Sequence, residues 1–65
     1  MNTKITIRFG DGTNTEIHTS KLKSVSVSGA TLEIVRFPTT DYLLSAYFKY
    51  VYKYPIMGVE LNYDE

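Results

Sequence analysis

No cysteine occurs in the chain, which excludes a disulfide framework and any thiolate metal site. A 65-residue chain sits near the lower size limit for folding on one unreinforced core. Lacking cysteines, it fits a reducing, cytoplasmic setting. Long apolar runs are missing too. Nothing approaches the roughly 18 to 20 apolar residues that a spanning helix needs, so no membrane association is expected. The opening MNTKITIRF lacks the apolar core of a secretory signal. Neither sign of charge is in excess, since seven Lys+Arg balance seven Asp+Glu. That removes the global signature of a duplex-DNA binder, although Glu60, Asp64 and Glu65 gather acid at the end.

Chemistry-bearing residues are equally sparse. His18 is the only histidine, and it lacks the nucleophile and orienting partner that a catalytic base requires. Three or four convergent ligands for a metal are not in view, so neither metal nor cofactor is expected. Asp11 and Asn14 in GDGTN lack the periodic carboxylates of a calcium loop, and FGDGTN lacks the ending of a phosphate loop. Glu16 and Glu33 are the only central carboxylates, and both read as outward strand residues. The expectation is a protein that is not an enzyme.

What is present is alternation. In residues 4–9, Ile5, Ile7 and Phe9 fall on one face against Lys4, Thr6 and Arg8, a half-buried strand. GDGTN reverses the chain, and TEIHT at 15–19 resumes with Ile17 inward between Glu16 and His18. Val25 and Val27 alternate with serines in 24–28, after Lys21, Leu22 and Lys23. Ser28, Gly29 and Ala30 turn the chain again into TLEIVRF at 31–37. In that strand Leu32 and Ile34 point one way, Val35 and Phe37 the other. Either it is apolar on both faces or a bulge follows Ile34.

Five of the six tyrosines lie in DYLLSAYFKYVYKYP, residues 41–55. The Tyr and Val content suits a strand, but the length and a 100° period favour a helix over 42–54. Thr39 or Thr40 would cap it and Pro55 would stop it. In that helix Leu44, Tyr47 and Val51 centre the apolar arc, widened by Leu43, Phe48, Tyr50 and Tyr54. VELNY at 59–63 then alternates as a final strand. The expected fold is α+β in one small domain: an antiparallel sheet of two hairpins plus a C-terminal strand, with one amphipathic helix on a face (β-β-β-β-α-β).

Such a chain acts by contact. The expected function is a non-catalytic protein-binding module, a small regulator or inhibitor of a larger protein, of the kind mobile genetic elements often encode. The expected contact surface is the outer helix face: Tyr42, Ser45, Lys49, Tyr52 and Lys53. Strand addition at the serine-rich edge 24–28, guarded by Lys21 and Lys23, is the other route to a partner or to a homodimer. The alternative function is single-stranded nucleic-acid binding through the same tyrosines and lysines, or through Lys4 and Arg8 on the sheet.

Overall fold

The computed structural model describes residues 2–38 and 46–64. Within them the chain is all β: β1 (Asn2–Phe9), β2 (Asn14–Ser20), β3 (Leu22–Ser28), β4 (Thr31–Arg36), β5 (Tyr47–Val51) and β6 (Ile56–Asp64). Two three-stranded antiparallel sheets form, ordered β2-β1-β6 and β3-β4-β5. Both hairpins and the return of the last strand are as the alternation predicts. The single sheet is not. The chain divides between β2 and β3, where Lys21 alone joins the sheets in a left-handed conformation (φ 57°). A non-glycine residue there carries strain, so a tertiary contact has to hold the corner. Arg36 at the end of β4 supplies it: its Nε donates to the Ser20 carbonyl at 2.9 Å and its Nη2 to Ser20 Oγ at 3.2 Å. The Phe37 amide closes the corner on the Lys21 carbonyl at 2.7 Å.

The core lies between the two central strands. Ile5 and Ile7 of β1 and Leu32 and Ile34 of β4 are buried in one cluster, with Ile17, Leu22, Val25, Phe48, Tyr50 and Val59 packed around it. Central strands have a neighbour on each side, so their side chains lose solvent from three directions. Val27 shares the inner face through its pairing with Leu32, yet remains 43% exposed on the edge strand β3. In β4, Leu32 and Ile34 face inward, and Val35 stands outward with Thr31 and Glu33. The only register shift of the β3–β4 pair lies between Leu22 and Ser24, which makes Lys23 the extra residue and leaves β4 regular after Ile34.

The expected helix is overturned, and with it the α+β class and the tyrosine-rich helix. Residues 42–45, which include Leu43 and Leu44, lie outside the described residues. From Tyr47 to Val51 the chain is a strand paired with β4. Aromatic and β-branched residues suit this pairing, and a two-residue period explains them better than a helical one. Phe48 and Tyr50 turn inward opposite Ile34 and Leu32, while Tyr47, Lys49 and Val51 turn outward. A ladder of rings results: Phe48 to Tyr50 at 6.5 Å, Tyr50 to Tyr52 at 6.3 Å, and Tyr52 to Phe9 at 4.9 Å between centroids. Tyr47 and Val51, expected at the centre of a buried arc, are 48% and 72% exposed. Pro55 stops no helix. It precedes β6, and its carbonyl accepts from the Gly10 amide at 3.0 Å.

These positions separate by mutation. Ile34→Ala removes a fully enclosed side chain and should cost about 2 to 5 kcal/mol. Val51→Asp, which a buried helix would not tolerate, should cost less than about 1 kcal/mol on the outer face of an edge strand. Thermal or urea unfolding of the two variants measures both.

Candidate protein-binding surface

The alternation that fills the core also decides what β4 and β5 show to solvent. Cross-strand pairing sets Val35 beside Tyr47, Glu33 beside Lys49 and Thr31 beside Val51. All six point away from the first sheet, and among the described residues the buried core cluster includes none of them. The Tyr47 hydroxyl donates to Glu33 Oε2 at 2.5 Å, a diagonal contact that fixes the ring across the strand pair. That bond raises the Tyr47 pKa above the usual phenol value, because losing the proton would leave a phenolate facing a carboxylate. The resulting face combines a tyrosine, two valines and one charge of each sign. Toward β3 it continues into Ser24, Ser26 and Ser28, small side chains that keep the surface low.

A second feature follows β5 directly. Phe9, Thr13, Tyr52, Lys53 and Tyr54 line a depression of about 170 Å³. Lys53 Nζ stands 5.4 Å from the centre of the Tyr54 ring, within cation–π range. Burial, then the neighbouring Tyr50, push the Tyr52 phenol upward. The notch is of side-chain size, below the several hundred Å³ of a typical small-molecule site.

The residues expected on one helix face are therefore redistributed. Tyr42 and Ser45 lie outside the described residues. Lys49 is on the outer face of β5, whereas Tyr52 belongs to the inward ring ladder and is half-buried. Lys53 rims the notch. A helix wheel puts Lys49 and Tyr52 together; the strand sends them to opposite sides. The helix reading places Tyr47 and Val51 in the core and leaves the outward Glu33 and Val35 of β4 out of the expected surface. Their signal was legible as the alternation of 47, 49, 51 against 48, 50, 52, together with the outward Val35 of β4.

Elsewhere the polar groups pair locally. Arg8 Nη2 reaches Glu60 Oε2 at 2.9 Å across the outer face of the first sheet. His18 Nε2 lies 3.5 Å from Glu16 Oε1, both side chains exposed. Asp11 Oδ1 accepts from the Thr13 hydroxyl at 2.6 Å and the Thr13 amide at 3.0 Å, and these bonds lower its pKa. This is the chemistry of a turn. Among the described residues no group of three His, Asp or Glu side chains converges on a metal position. Among the same described residues no helix is long and apolar enough to cross a membrane. The chain matches no family model, no curated protein and no solved structure.

The Tyr47–Glu33 bond makes a titration prediction. A folded-state phenol pKa raised above its unfolded value contributes stability below about pH 10, lost as pH rises through the folded pKa. Glu33→Gln removes the charge facing the phenolate, so ionisation of Tyr47 should move to lower pH. Absorbance near 295 nm, with Tyr47→Phe identifying the signal, checks the direction. A profile unaltered by Glu33→Gln contradicts the bond.

Proposed function

We propose that the protein is a non-catalytic binding module, a small regulator or inhibitor that acts by docking on a larger protein. Its contact surface is the outer face of β4 and β5. One observation carries this reading: Tyr47 and Val51 stand 48% and 72% exposed on a strand whose opposite face already serves the core. Side chains pointing outward contribute little to folding, yet these are interface-forming types. Tyrosine brings a large contact area at low rotamer cost, and its central burial marks many binding hot spots. Val35 and Val51 supply apolar area on either side, while Glu33 and Lys49 set the orientation of an approaching partner.

Single-stranded nucleic acid is the second reading, and the strand geometry favours it in one respect. Stacking platforms are commonly built on sheets, and Tyr47 with Lys49 now stands on one. Against it, Phe48, Tyr50 and Tyr52 turn inward, which leaves one outward ring on this face, and the chain has no net positive charge.

The test is a double variant, Tyr47→Ala with Val51→Ser, compared with the parent in affinity capture from the native cell and mass spectrometry. Circular dichroism should show an intact fold. Loss of an aromatic anchor should weaken a captured partner by roughly thirtyfold, which corresponds to about 2 kcal/mol. A folded double variant that retains full binding removes this face from the function. Binding to a mixed-sequence oligonucleotide that falls steeply with salt would instead establish the nucleic-acid reading.

A further inference from the structure

Among the described residues four strands lie at sheet edges: β2 and β6 in the first sheet, β3 and β5 in the second. Three have features that discourage pairing with another chain. Strand β2 exposes Glu16 and His18. Strand β3 is bulged at Lys23 and preceded by Lys21, which discourages pairing. Strand β5 is only five residues long. Strand β6 is different. It is the longest strand, at nine residues, and contains neither lysine nor arginine; its one bulge, at Met57, leaves 58–64 in regular register, and its exposed Glu60 is paired with Arg8. Its first residue is tied to the β3–β4 turn by the Ile56 amide donating to the Gly29 carbonyl at 2.9 Å. From Glu60 to Tyr63 every side chain is exposed.

Register shows why that exposure matters. Val59, Leu61 and Tyr63 pair with Ile7, Ile5 and Thr3, so they belong to the inner face of the first sheet. Ile5 and Ile7 are fully buried there, yet Leu61 is 37% and Tyr63 62% exposed. The inner face continues beyond the area that the second sheet covers. The whole chain exposes 4643 Å², against about 4,200 Å² for a compact monomer of its mass.

We infer that β6 is a homodimer interface: it pairs antiparallel with β6 of a second copy about a two-fold axis at Leu61, joining the two first sheets into one of six strands. The partner is a second copy because the strand is self-complementary in this register, as an isologous contact requires. Leu61 meets Leu61 and Val59 meets Tyr63, so the inward row is apolar throughout. Glu60 meets Asn62 and Gly58 meets Asp64, so no two acidic residues face each other. The Asn62 amide already stands 3.5 Å from Glu60 Oε1 along its own strand, which puts this donor within reach of a carboxylate. Zero net charge leaves no long-range repulsion between copies. This contact uses the other sheet from the proposed partner surface and does not depend on it.

Sedimentation of the full chain over roughly 1 to 200 µM should show its mass doubling, with a melting temperature that rises with concentration. Leu61→Lys should remain monomeric at the highest concentration while keeping its circular dichroism. In the cysteine-free background, Leu61→Cys should cross-link to a covalent dimer on mild oxidation, because residues facing across an antiparallel pair have Cα atoms about 4.5 to 5.5 Å apart. Ser26→Cys on β3 should not. If Leu61→Lys fails to fold, the cysteine pair decides. A parent chain that stays monomeric throughout, or faster cross-linking of Ser26→Cys than of Leu61→Cys, overturns the inference.

Discussion

Four aliphatic side chains, Ile5 and Ile7 from one sheet and Leu32 and Ile34 from the other, form the contact on which the rest of the structure depends. Each sits on the central strand of its sheet, so burying these four fixes the facing of both sheets at once. Slipping either strand by one residue would turn its inward row to solvent and Thr6 or Glu33 toward the core. The corner at Lys21 and the Arg36 bonds to Ser20 follow from this requirement. They bring β4 over β1 with one residue of connection, at the cost of local backbone strain that the Arg36 and Phe37 bonds offset.

A core this small cannot enclose the apolar residues the chain possesses. The ring ladder of Phe48, Tyr50, Tyr52 and Phe9 extends it at one margin, where tyrosine can bury its ring and leave its hydroxyl at the boundary. The tyrosine surplus thus has a structural cause along the inward row of β5. Tyr47 stands apart from it, on the other side of the strand, with its hydroxyl on Glu33.

Among the described residues, the outer face of β4 and β5 and the free half of β6 both stay exposed, and they differ in kind. The outer face of β4 and β5 is flat, of mixed charge and aromatic, suited to a partner of different composition. The free half of β6 offers unpaired backbone and a self-complementary row of side chains, suited to its own copy. A module that pairs through one sheet would present two copies of the other face to a larger partner, and paired sites raise avidity without any new contact.

The sequence by itself determined the strands whose alternation is strict: β1, β2 and β6, the turns at GDGTN and Ser28–Gly29–Ala30, and the inward set of Ile5, Ile7 and Ile17, while leaving open which face of β4 the core takes. For these, facing follows from position parity alone. It also determined that His18 and Glu16 stand outward. Only the tertiary structure decided the rest. For residues 47–51 the same side chains satisfy a helical arc and a strand. Local spacing cannot choose between them, and the choice falls to the free edge of β4, which offers backbone partners to a strand and none to a helix. That one decision carries Tyr47 and Val51 from the expected core to the surface and separates Lys49 from Tyr52. The division into two sheets was equally hidden. It rests on a single left-handed residue at Lys21, a conformation that lysine adopts only where distant groups hold it.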